Sequence, residues 1–235
     1  MKVSGTEFES VLRPVGPKRT LSEEVARQLR RAVIGGEFEG GAAIPEAQTA
    51  EKLGVSRVPV REALQVLAQD GLVEYGARGR AIVRCLSVED FEEIYTLRLI
   101  LEPAAAMRAA EHVGEADIEM LEELIGRQEA AGSLSELSFL DVEFHDRIMR
   151  LAKHERLLNC WLTIRHQLEL WLARLHRRAD ELTHVAKEVS IEGHREFVGI
   201  LNRGDVRAAG AFMHGHIAAW REWLPGRDEE EEEGD

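Results

Sequence analysis

Cysteine is nearly absent from the chain. Cys85 and Cys160, the only two in 235 residues, lie far apart and lack metal-type spacing. That excludes a disulfide framework and fits a reducing compartment. Long apolar runs are missing as well: no stretch approaches the roughly 20 residues that a membrane-spanning helix needs. The first twenty residues hold Glu7, Glu9, Arg13, Lys18 and Arg19 around no compact apolar core, so neither a secretory signal nor a membrane anchor is expected. Positive charge is also scarce. The 30 Lys and Arg against 43 Asp and Glu give a net −13, which as a bulk value argues against nucleic acid. Strand signals disappear beyond Ser87. What remains is a soluble, cytoplasmic, mainly helical chain, long enough for one large or two modest domains with real cores.

The charge is unevenly divided. Residues 1 to 86 hold 13 Lys and Arg against 11 Asp and Glu, and the remainder 17 against 32. A near-neutral amino-terminal unit is thus joined to an acidic one, and the whole-chain value hides the difference. Residues 1 to 18 mix Gly, Pro and charge without periodicity and read as a flexible arm. Two working units follow, 19 to 86 and 87 to 224. The acidic run within 225 to 235 reads as a solvated, disordered tail.

In the first unit, Thr20 and Glu23 form a capping box ahead of Val25, Leu29, Ala32 and Val33, a helix that ends at Gly35-Gly36. Pro45 opens a short helix with Ala50 and Leu53 inward, stopped by Gly54. The run Gly54-Val55-Ser56-Arg57-Val58-Pro59-Val60-Arg61-Glu62-Ala63-Leu64 then has the pattern of a turn and second helix of a helix-turn-helix. Ser56 is placed to cap that helix through its hydroxyl, and Pro59 falls in the first turn, where its missing N–H costs little. Val60, Ala63, Leu64 and Leu67 make a buried stripe. Arg57, Arg61 and Gln65 lie four apart on another face and offer two guanidiniums and an amide, suited to phosphate oxygens and guanine edges in a major groove. An ordinary solvated basic face has the same spacing. Leu72 to Tyr75 and Ala81 to Val83 read as a hairpin with the tip Gly76-Ala77-Arg78-Gly79-Arg80. Three helices followed by such a hairpin make a winged helix, and this placement favours DNA over mere solvation.

The second unit reads as six helices, at about 88 to 112, 115 to 131, 134 to 153, 155 to 177, 180 to 202 and 205 to 223, an antiparallel bundle. Its apolar stripes carry polar interruptions. Asp141 and His145 lie one turn apart beside Leu137, Leu140, Phe144, Ile148 and Leu151. His194 completes the stripe of Ile191, Val198 and Leu201, and His216 borders that of Val206, Ala209, Met213, Ile217 and Trp220, with His214 farther round. Singly, each histidine reads as an ordinary core or surface residue. Together, three helices offer one carboxylate and three imidazoles to a common interior, a set suited to Zn²⁺, with Ni²⁺ or Mn²⁺ as alternatives. Four protein ligands either close a structural site or leave positions for water or a carboxylate ligand, and spacing does not choose. Arg98, one heptad beyond Phe91, is placed either to pair with Glu102 or to grip an anionic small molecule. The four Trp residues read as core or interface. Two rival functions use the same residues: a metal-free polar core that binds an effector directly, and a metal-dependent hydrolase. The hydrolase lacks an evident general base and leaves the winged helix without a purpose.

These residues carry a family resemblance. The Gly54 to Leu64 run, Asp70-Gly71-Leu72-Val73 and the Arg78-Gly79 wing resemble the DNA-binding domain of GntR-family transcription regulators. Arg98, Glu102-Pro103, Phe139 to His145, His194 and Met213-His214-Gly215-His216 resemble the FCD ligand-binding domain of the FadR subfamily. The resemblance covers about residues 19 to 223. It implies a winged helix-turn-helix followed by an all-α six-helix antiparallel bundle, and a metabolite-responsive regulator, a repressor by preference and not an enzyme. It further implies a cytoplasmic, nucleoid-associated, prokaryotic homodimer on double-stranded DNA with a palindromic operator. The DNA-contacting set is then Ser56, Arg57, Val58, Arg61 and Gln65 with Arg78, Gly79 and Arg80 at the wing. The metal falls to Asp141, His145, His194 and His216, with Arg98 holding a small carboxylate effector. Three residues depart from the family pattern. Thr49, in place of Leu, implies a stability cost, Ala47 bears on affinity or operator choice, and His154, in place of Asn, implies an altered pocket.

Overall fold

The computed structural model describes residues 20–178, 180–219 and 221, without the side chains of 78, 134, 135, 175–178 and 180–186. The arm, the acidic tail, Trp220 and Trp223 lie outside the described residues. Helix α1 (Leu21–Ile34) starts at the capping box read from the sequence: the Glu23 N–H donates to Thr20 Oγ1, and the Thr20 N–H to Glu23 Oε2. Its buried Val25, Ala26, Leu29 and Val33 face α3 (Arg57–Gln69), whose Val60, Ala63, Leu64 and Leu67 are wholly buried. Between them α2 (Glu46–Leu53) ends at Gly54, where φ of 65° reverses the chain into the left-handed region that glycine enters without a Cβ penalty.

Ser56 is the N-cap residue of α3 with extended backbone, but its hydroxyl makes no capping bond. This corrects the expected cap. The third helical residue is Pro59, which has no N–H, so one of the two donors that a cap ordinarily satisfies is missing. Ser56 remains exposed at the start of the helix.

The hairpin pairs β1 (Val73–Tyr75) with β2 (Ala81–Val83) in antiparallel register, Val73 opposite Val83 and Tyr75 opposite Ala81. A single 3-10 turn, Ala77–Gly79, forms the tip. The loop after α1 adds a third rung that the sequence did not announce: Ala43 bridges Ile82, the Ile44 N–H donates to the Ala81 carbonyl, and the Val83 N–H to the Ala42 carbonyl.

The bundle comprises α4 (Val88–His112), α5 (Glu115–Ala130), α6 (Leu134–Leu151), α7 (Glu155–Arg178), α8 (Asp180–Asn202) and α9 (Val206–Ala219). Ser87 and Asp90 cap α4 reciprocally. One core joins α5, α6, α8 and α9 to the alanine face of α4. A second gathers Ile94, Val142, Met149, Trp161, Ile164 and Leu168 between α4, α6 and α7. His154 accepts the Leu157 N–H at its Nδ1, 3.3 Å away. It therefore caps the start of α7. No helix among the described residues is long and apolar enough to cross a membrane.

Helix α7 belongs to both halves. Its Leu170 and Ala173 are buried in the winged-helix core. Arg174 donates to the Arg84 carbonyl at 2.9 Å, and Trp171 stacks on Phe91 with ring centroids 4.2 Å apart. Near its middle, His166 comes within 4.0 Å of Asp70, the C-cap of α3, which also pairs with Arg30 of α1.

Candidate functional site

Helix α6 places Asp141 and His145 on one inward face, α8 supplies His194 and α9 supplies His216. Ligand nitrogens of the three histidines lie within 4.8 Å of one another. Asp141 stands at the edge of this triad, Oδ1 3.7 Å from His194 Nε2, and accepts the Ser190 hydroxyl at 2.7 Å. Gly193 makes room for the ring from α9, since a Cβ there would sit 2.8 Å from His216 Nδ1. His214 is exposed and takes no part.

Orientation comes from the second layer. Gln128 of α5 gives its amide N–H to the Leu140 carbonyl at 3.0 Å, which turns its oxygen toward His194 Nδ1 at 2.9 Å. His194 thus carries its proton on Nδ1, and its Nε2 lone pair faces the interior. Phe144 stacks on the same ring, centroids 3.9 Å apart. Gln128 and Ser190 escaped the sequence reading. Gln128 continues the buried stripe of Leu121, Leu124 and Ile125, so a polar residue in an apolar register was the available signal.

Arg98 takes the first of its two expected roles, the pair with Glu102. Its Nε donates to Glu102 Oε1 at 2.5 Å with both side chains buried, while its Nη2 remains buried without a partner. Glu102 Oε2 lies 2.5 Å from His145 Nδ1, an ion-pair contact. Burial alone raises the Glu102 carboxyl, yet Arg98 and His145 together outweigh it and hold it down at about 2. Burial, reinforced by the charges of His145 and Arg98, pushes His194 well below the usual imidazole range. Burial, then His194 and His145, does the same to His216. Neutral imidazoles are the form that binds metal.

Among the described residues, every buried side-chain nitrogen or oxygen without a hydrogen-bond partner belongs to this cluster: Arg98 Nη2, Glu102 Oε2, Asp141 Oδ2, both nitrogens of His145, and Nε2 of His194 and His216. Each such atom costs about 1–3 kcal/mol if left alone. Their concentration at one point, with the neutral rings of His194 and His216 and the His145 ring beside a carboxylate, matches the donor set of a borderline divalent ion.

A second surface lies on the winged helix. Arg57, Arg61 and Gln65 are exposed along α3, and Val58 is 64% exposed beside them. Arg61 is not free: its Nε and Nη2 donate to the Glu46 carboxylate of α2, with Nη2 to Oε2 at 2.9 Å. The bond from Arg61 lowers the Glu46 carboxyl below its ordinary range. At the wing, Arg80 is exposed and Gly79 closes the tip with φ of 69°. The Arg78 side chain lies outside the described residues. Ala47 is exposed beside Glu46, and Thr49 is half-buried.

Comparison with known proteins identifies both domains. Residues 21–83 match the model of bacterial regulatory proteins of the gntR family, and residues 93–219 match the FCD domain. An uncharacterised HTH-type transcriptional regulator of Streptomyces ambofaciens is 30% identical over 206 residues, covering 86% of this chain and 84% of that protein. The gluconate operon transcriptional repressor of Bacillus licheniformis is 28% identical over 189 residues, 77% of this chain and 75% of the repressor. A solved GntR transcriptional regulator of Rhodococcus sp. RHA1 superimposes with a TM-score of 0.71 at 25% identity, over 86% of this chain and 95% of that one. The chain therefore belongs to the gntR family of bacterial regulatory proteins, as a DNA-binding transcription regulator with an FCD domain.

Proposed function

We propose that the protein is a metabolite-responsive repressor whose bundle holds one divalent metal ion, Zn²⁺ by preference, and a small organic acid. The observation that carries this reading is the convergence of unpartnered buried atoms at His145, His194, His216 and Asp141, with the unspent Arg98 Nη2 in the same cluster. These four residues hold the ion, and Arg98 contributes a fixed cation to a carboxylate. When bound, the ion supplies Lewis-acid attraction for carboxylate oxygens. A repressor among the relatives supports the sign of the response.

Coupling to DNA runs through α7. Helix α6, which carries Asp141 and His145, also carries Asp146, whose carboxylate accepts the Trp161 indole N–H at 3.0 Å and lies 3.3 Å from Arg165 Nε. Trp161 and Arg165 are on α7, which continues into the winged-helix core. An acid that binds one packing of α6 on α7 more tightly than another shifts the placement of the winged helix, whereas equal affinity for both shifts nothing. A homodimer with twofold symmetry presents two such helices to a palindromic operator.

The test is metal analysis of protein purified without added ions, followed by operator binding with and without carboxylic acids. The expected result is near-stoichiometric metal, lost in His145→Ala and His216→Ala, and an acid response that disappears with it. Full acid response in metal-free protein would replace this reading with a polar pocket that binds the effector directly.

A further inference from the structure

The Arg61–Glu46 pair spans two helices and lies on the face that the family places against DNA. Arg61 is 63% exposed and Glu46 26% exposed at the side chain, and an ion pair this wet adds little to stability. A carboxylate facing a polyanion is also unfavourable unless it does something specific there. The pattern of bonds shows what that is. Glu46 takes the Nε and Nη2 side of the guanidinium, which leaves the edge formed by Nη1 and Nη2 for another partner on this exposed side chain. In the major groove a guanidinium edge forks onto guanine O6 and N7, and a carboxylate accepts from the cytosine N4 amino group. A carboxylate bonded side-on to an arginine therefore presents acceptor and donors together, the complement of one G·C pair.

We infer that Glu46 is a specificity-determining residue: it pins Arg61 for guanine, offers its own oxygen to the paired or adjacent cytosine, and so makes the two side chains read a G·C base pair as a unit. The inference rests on α3 being the helix that enters the groove. Val58 and Arg57, on the preceding turn, are left to read neighbouring positions.

The experiment is selection of duplexes from a pool with a randomised core by the full-length protein, repeated with Arg61→Ala, Glu46→Ala, Glu46→Gln and Arg57→Ala. Affinities for the selected duplex and for random-sequence duplex are then measured across salt. Arg61→Ala and both Glu46 variants are expected to lose discrimination at the same G·C position, by about tenfold or more, while Arg57→Ala changes a different position. Glu46→Ala is further expected to bind random duplex at least as tightly as wild type, because an anionic group has gone. A merely structural role would not give loss of specificity without loss of non-specific affinity. Glu46→Gln keeps the shape of the helix start and decides the matter if Glu46→Ala lowers the melting temperature. Retention of the wild-type preference in Glu46→Gln while Arg61→Ala loses it would overturn the inference. If the wild-type chain enriches no sequence, the assignment of α3 fails first and this inference with it.

Discussion

His194 is held by three different forces at once: a hydrogen bond to Gln128, a stacked Phe144 and the exclusion of water. Removing the first leaves the ring buried but free to turn or change tautomer. Gln128→Ala is therefore expected to weaken divalent-metal affinity about 10–100-fold, as read by competition with a chromogenic chelator, and an unchanged affinity would remove Gln128 from the site. The same burial sets a pH dependence. His194 and His216 ionise less readily in the fold than in the open chain, where such rings titrate near 6.5. As pH falls below 6.5 the unfolded chain takes up more protons than the folded one, so the contribution to stability is complete above that value and declines with acid. Glu102 adds the same sign lower down. Its carboxyl sits at about 2 in the fold against 4.5 in the open chain, so its contribution is present above 4.5 and is lost as pH falls toward 2. Metal-stripped protein should have a lower urea midpoint at about pH 5.5 than at about pH 7.5. A midpoint that rises on acidification would contradict the buried, neutral state of the rings.

At the scale of elements, the meeting of α8 and α9 depends on one missing methyl group. Gly193→Ala places a Cβ 2.8 Å from His216 Nδ1, and the ring must swing out of the triad. The expected outcome is a marked loss of metal affinity with a small change in melting temperature; His216→Ala should give the same affinity and the double variant no further loss. The helices themselves were largely legible, because apolar positions spaced three and four apart, with Ser87, Gly114 or Gly54 at the ends, specify them locally. Asp141, His145, His194 and His216 were legible for a related reason: each interrupts or borders an apolar stripe. Contacts that cross between helices were not. The Ser56 hydroxyl makes no cap bond, with Pro59 removing one of its two donors, and the Arg61–Glu46 pair depends on how the turn around Gly54 sets α2 against α3. Similarly, the strand rung at Ala42 to Ile44 has no alternating pattern of its own and is held only by its bonds to Ala81 and Val83.

For the whole molecule, α7 is the decisive element, because among the described residues it is the helix of the bundle whose side chains complete the winged-helix core. Leu170 is fully buried there, and Leu170→Ala should cost about 2–5 kcal/mol. Calorimetry offers a sharper reading than the total. Wild-type protein should melt in one transition, and the variant should release the winged helix at a lower temperature than the bundle; a uniform downward shift of a single transition would mean that the two halves remain cooperative without this contact. The seam also bears on how such regulators are assembled. A DNA-reading unit joined by a plain tether could be moved onto another sensor as a cassette. Here a cut after residue 86 takes away Leu170 and Ala173 and leaves a hole in the severed piece. Exchange of sensors between chains of this design must carry a matching helix across the junction, or leave the transplanted reader with an unfilled core.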